Sequence, residues 1–267
     1  MNDINVLNFN EAFNALNEVS NSFTVDAYIP SKNTNWTFKE INAKQQKELL
    51  GAAMDTSVYN LGFSTVFYNI LKENLISDGD INELNLSDKA SIALSLKSQI
   101  TSDLKVKFDD KNDITSNVDV NVLIEKFKTY TTPTEVKCSL KNDKTELDAI
   151  VRYPTLKVEL DYDTEFKQNK KTEDVKTNQD FQKIITTAFI GETSKYIKTV
   201  TINGAEIDLD GMTFKQRINL IEKIPSGLLQ QVLETVSKWK KELDEVLSVQ
   251  EGEYTKVITI DSLLFLS

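Results

Sequence analysis

The chain has 267 residues, a net charge of −10, a hydrophobic share of 40% and a charged share of 27%. That apolar content suffices for one large core or two smaller ones and excludes disorder over most of the length. Histidine is absent and Cys138 is the single cysteine, which excludes an internal disulfide, a multi-cysteine zinc site and every nucleophile that relies on an imidazole base.

The first forty residues predict a short helix and two strands. Asn10 is placed to cap a helix from Glu11 to Val19. SFTVDAYIP then alternates, with Phe23, Val25 and Ala27 on one face, until Pro30 stops it. NWTFKEI predicts a second strand with Trp36 and Phe38 on one side. Asn42 and Gln45 form a capping-box pattern that opens a helix through Met54, with Leu49, Leu50, Ala53 and Met54 on one face. The next helix has the clearest stripe in the chain: Phe63, Val66, Phe67, Ile70 and Leu71 recur at i, i+3, i+4, i+7 and i+8. SDGD breaks it. Ser87 then caps a third helix with Ala90, Ala93, Leu94 and Ile100 inward.

From Leu104 the period changes to two. Leu104, Val106 and Phe108 alternate with polar residues, VKCSL sets Val136, Cys138 and Leu140 on one face, and a turn at 141–143 returns the chain through Leu147 and Ile150. After Pro154, TLKVELDYDTEF predicts a strand with Leu156, Val158, Leu160 and Tyr162 on one side. TNQDFQKIITTAFIG predicts a helix ended by Gly191. In TVTINGAEIDL, Asn203-Gly204 predicts a hairpin with a type I′ turn. Thr213 and Gln216 form another capping box, Pro225 breaks that helix, and a longer one follows with Leu229, Val232, Leu233, Val236, Leu243, Val246 and Leu247 at helical spacing. KVITIDSLLFLS closes the sequence as an apolar strand or tail.

The net negative charge speaks against a nucleic-acid partner, whose binders carry basic stripes. The nearest to a basic patch, Lys167, Lys170, Lys171 and Lys176, is interrupted by Glu173 and Asp174 and reads as a solvated loop. No apolar run reaches the length of about 20 residues that spans a bilayer, and MNDINVLNFNEAF lacks the basic start of a secretory signal. GxGxxG and GxxxxGK[ST] loops are absent. Asp78-Gly79-Asp80 and Asp208-Leu209-Asp210-Gly211 lack the ligand spacing of a calcium loop. Asp161 and Asp163 share a face of the predicted strand and are the leading pair for a histidine-free carboxylate hydrolase, the remote alternative. No cofactor is implied. Trp239, among Lys238, Lys240 and Lys241 and slightly off the apolar row, is either packing or an interface anchor. The terminal stretch containing Phe265 either joins its own sheet or augments a partner's. Trp239 and Phe265 are the candidate partner-binding residues.

One resemblance reaches further. KQQKELLGAAMD at Lys44–Asp55, VYNLGFSTVFYNILKEN at Val58–Asn74 and SDKASIALSLKSQ at Ser87–Gln99 resemble the baseplate hub proteins of T-even-type contractile-tailed bacteriophages. The similarity continues more weakly through VKCSL and RINLIEKIPSGLLQQVLETV at Arg217–Val236. It implies a non-enzymatic structural or assembly protein of the tail. Its partners would be other tail and baseplate proteins, and its location the virion, assembled in the host cytoplasm. A homo-oligomer, and a dedicated assembly chaperone absent from the mature particle, stay open. The predicted fold is α+β: a helical unit with short strands at 1-103, a β-rich region of antiparallel hairpins at 104-211, and C-terminal helices with a terminal strand at 212-267.

Overall fold

The computed structural model describes residues 8–54, 61–109, 114–170 and 177–260. Its architecture is α+β, with antiparallel hairpins and helices toward both ends. Helix α1 (Phe9–Ser22) starts two residues before the predicted point, because Asn8 rather than Asn10 forms the capping box, with Glu11. Strands β1 (Thr24–Ile29) and β2 (Thr34–Lys39) pair as a hairpin and bury Val25, Ala27, Ile29, Trp36 and Phe38. Gly79 allows the Trp36 ring to approach: a Cβ there would lie 2.6 Å from it. Phe23, expected on the inner face, is exposed.

The Asn42–Gln45 box caps α2 (Ala43–Ala53) as predicted, and Leu49 is buried, while Leu50 and Met54 face outward. In α3 (Leu61–Asn74), Phe63, Phe67, Ile70 and Leu71 are buried as their spacing requires, with Val66 partly so. Helix α4 (Leu86–Ser98) is capped by Asn85, not Ser87: the Asn85 side chain accepts from the Ser87 and Asp88 backbones while Asp88 accepts from the Asn85 backbone. Every residue from Ser87 to Lys97 is buried, so α4 is the central helix of the fold rather than an amphipathic one with a single inward face. The side chains of Ser87, Asp88, Lys89, Ser91 and Ser95 find hydrogen-bond partners inside. Asp88 accepts from the Ser31 backbone and hydroxyl at 2.9 and 2.7 Å, and Ser91 donates to the Tyr28 carbonyl at 2.7 Å. Ile100 lies beyond the helix and is half exposed.

Strands β3 (Asp103–Asp109) and β4 (Ile114–Asp119) form a hairpin that buries Leu104 and Val106. Helix α5 (Val120–Thr129) follows inside the region predicted to be β-rich; Val120, Leu123 and Phe127 are its buried row. Strands β5 (Val136–Lys141) and β6 (Glu146–Val151) then pair through the predicted turn, where Asn142 Oδ1 accepts from the Lys144 and Thr145 backbones.

The stretch read as a strand after Pro154 is helix α6 (Leu156–Lys170). Two-residue alternation and a helix buried on two sides give the same pattern here. At about 100° per residue, Leu156 and Leu160 fall together, and Val158 and Tyr162 fall together on the opposite side. Leu156 and Leu160 join the larger core, while Tyr162 packs with Phe214 and Ile218 in a small separate cluster. Helix α7 (Asn178–Ser194) runs through Gly191 instead of ending there. That glycine is a contact point: an added Cβ would sit 2.5 Å from Tyr162 and 2.8 Å from Phe214.

Strands β7 (Ile197–Ile202) and β8 (Ala205–Asp208) turn at Asn203 and Gly204, both with positive φ, as the sequence predicts. They complete an antiparallel sheet in the order β5-β6-β7-β8. Helix α8 (Phe214–Ile221) has its Thr213–Gln216 box, and α9 (Ser226–Val246) follows Pro225. Strands β9 (Ser248–Glu251) and β10 (Tyr254–Val257) pair as a hairpin; the terminal strand or tail expected from Lys256 onward coincides with β10 at Lys256 and Val257, and its part from 261 to 267 lies outside the described residues.

Packing does not follow the three sequence segments. The larger core takes β1 to α5 together with Leu156, Leu243, Leu247, Val249 and Ile258. The second core lies between the four-stranded sheet and the first half of α9. Helix α9 spans both, with Leu228 to Trp239 in one and Leu243 and Leu247 in the other.

Candidate functional site

Of the two predicted partner-binding residues, Trp239 is not available to a partner. It is 4% exposed, with its ring 5.3 Å from that of Tyr153. Its position beside the apolar row turns it toward the tyrosines where α9 passes the sheet, and its lysine neighbours face solvent. Phe265 lies outside the described residues. Tyr59 does too, while Phe63, Phe67 and Tyr68 are core. Asp161 and Asp163 do not share a face, because two residues along a helix are about 200° apart. Asp161 is exposed and pairs with Lys157, while Asp163 is buried. Asp80 and Asp208 accept from backbone N–H groups two residues on, the work of turn acids. Lys167 and Lys170 belong to α6; the lysines at 171 and 176 lie outside the described residues.

The interior holds a charged group that the sequence did not reveal. Glu159 of α6 is buried between two lysines. Lys89 Nζ of α4 is 3.5 Å from one carboxylate oxygen, and Lys195 Nζ is 4.0 Å from the other. Lys89 also donates to Ser64 at 3.0 Å, and Lys195 pairs with Glu192 at 2.7 Å and lies over the Tyr162 ring. Burial opposes the Glu159 charge, yet Lys89 and Lys195 overcome it and hold the carboxyl below its ordinary range. The Lys195 ammonium is likewise opposed by burial and held above its usual value by Glu159 and Glu192. Each charge is matched, which makes this group a strut between α4, α6 and the end of α7. The misread α6 hid it: as a strand residue, Glu159 would have faced away from Leu156 and Val158.

Both arginines of the chain converge on Asp210. Arg152 Nη2 is 2.6 Å from Asp210 Oδ1, and Arg217 Nη2 is 3.3 Å from the same oxygen. The neighbouring cleft is about 40 Å³, hardly more than one water, and its lining includes Asp161 and Glu165. This cross-link ties β8, β6 and α8 together. Among the described residues no group of His, Cys, Asp and Glu could hold a metal ion, and no helix is long and apolar enough to cross a membrane.

The feature suited to function is on the surface. No described side chain of α1 is buried. Phe9 is 82% exposed and Leu16 67%, and Val19 and Phe23 are about half exposed. The stripe has the helical spacing that elsewhere in this protein faces the core. A contiguous apolar stripe left in water is the mark of an interaction site. The sequence contained its signal, in the spacing of Phe9, Leu16, Val19 and Phe23, but starting the helix at Glu11 left Phe9 and Phe23 outside it. Comparison with protein-family models, characterised proteins and solved structures finds no match.

Proposed function

We propose that this chain is a component of the baseplate hub of a contractile phage tail, incorporated in the particle or required while it is built, and that it acts through protein–protein contacts. The observation that carries the contact-based reading is the exposed apolar stripe of α1, from Phe9 to Phe23. Placement in a tail rests on the sequence similarity of Lys44–Asp55, Val58–Asn74 and Ser87–Gln99 to that family. These segments supply α2, α3 and α4.

The test is genetic. A nonsense codon early in the gene should leave phage heads intact and give tails without complete baseplates, visible by electron microscopy. Mass spectrometry of purified wild-type virions then separates a subunit, present in fixed ratio to the other baseplate proteins, from a helper that is absent. Normal baseplates and undiminished plating of the mutant would end the proposal.

A further inference from the structure

We infer that α1 docks into an apolar groove, rimmed by lysine or arginine, on a different protein; this deepens the assembly reading and rests on it. Phe9, Leu16 and Phe23 stand seven apart, and Ala12 and Val19 stand three after the first two. This is a heptad seam with apolar first and fourth positions. Beside the seam, Ala15 and Ser22 are uncharged. Two-stranded coils select partners through charges at those flanking positions. A wide uncharged face instead suits the helix-in-groove mode of recognition.

Charge selects the rim. The 31 residues before Lys32 contain Asp3, Glu11, Glu18 and Asp26 and no lysine or arginine. Glu11 and Glu18 stand on α1 itself, on its outer face about 130° round from the seam, so only the rim of a groove that wraps the helix reaches them. A partner that meets them gains from basic groups at its edge. A second copy of this chain would bring two acidic helices together. An anionic lipid surface is also a poor match, since it draws in helices with basic polar faces.

Size points the same way. A helix of 14 residues is about 21 Å long and about 11 Å across with side chains, so one side has a footprint of about 230 Å². A stable interface buries about 800 Å² on each partner. Pairing of α1 with another α1 along one side falls far short, whereas a groove that covers three sides reaches about 700 Å².

The test is calorimetric titration of the full chain against each purified tail protein encoded by the neighbouring genes. Two variants run beside the parent: Phe9→Ala with Leu16→Ala, and Glu18→Lys. Neither removes a buried side chain, so circular dichroism and melting should match the parent. The expected result is one tail protein that binds the parent, at least tenfold weaker binding by the alanine pair, and severalfold weaker binding by Glu18→Lys at low salt that recovers at high salt. Equal binding by the alanine pair overturns the α1 proposal and leaves the assembly reading standing, because the parent still binds. Tighter binding by Glu18→Lys would mean an acidic rim and also overturns it. Failure of the parent to bind any tail protein removes both. Sedimentation equilibrium covers the last occupant: a parent dimer dissolved by the alanine pair assigns the stripe to a second copy and overturns a partner of another kind.

Discussion

The Tyr153 hydroxyl donates a 2.8 Å hydrogen bond to the backbone carbonyl of Trp239, joining the end of β6 to the middle of α9. Burial pushes the Tyr153 phenol well above its ordinary range, which favours the protonated hydroxyl that makes this bond. Trp239→Ala would empty a site packed by Tyr153 and should cost about 3–5 kcal/mol. Chemical denaturation checks this. An unchanged midpoint would mean that the indole adds nothing to the second core.

Glu159 ties acid stability to the interior. Its folded pKa is depressed below the ordinary 4.5. Its contribution is therefore present above about pH 4.5 and fades as pH falls through the lower folded value. Glu159→Gln leaves the buried Lys89 charge with only the Ser64 hydroxyl and Lys195 with Glu192, and should cost about 3–5 kcal/mol at neutral pH. The loss should shrink as acid protonates the parent's own Glu159. Melting curves from pH 3 to 7 test this, and a loss independent of pH would show that the carboxylate charge is not what matters.

Gly51 and Gly191 make a matched pair. Gly51 in α2 has nothing within 4 Å of a would-be Cβ, so Gly51→Ala should stabilise by about 1 kcal/mol through helix propensity. Gly191→Ala makes the same backbone gain but drives a methyl into Tyr162 and Phe214. Overpacking of this kind costs about 1–3 kcal/mol. The two midpoints should therefore move apart, with Gly191→Ala the less stable. If both rise together, the Tyr162–Phe214 contact yields freely.

Phe67 is fully buried and stacks on Phe63 with ring centroids 5.9 Å apart. Phe67→Ala should cost about 3–5 kcal/mol. The comparison with Phe9→Ala is direct: one phenylalanine is inside and one is 82% exposed. Thermal melting should fall for the first and hold for the second.

Elements whose signals are local are legible in the residues alone. Capping boxes at Asn42–Gln45 and Thr213–Gln216, the Phe63–Leu71 stripe and the Asn203-Gly204 turn each involve residues a few positions apart, and backbone geometry alone links them. These were enough for the α+β class. Tertiary structure decided what depends on more than one neighbour. The alternation from Leu156 to Tyr162 became a helix because two different cores receive its two sides. Asp88 and Lys89 could go inside because Ser31, Ser64 and Glu159 meet them there. Trp239 became packing because Tyr153 covers it. The α1 stripe shows the limit most plainly: spacing marks a face as apolar, and only the fold decides whether the chain covers that face or leaves it for something else.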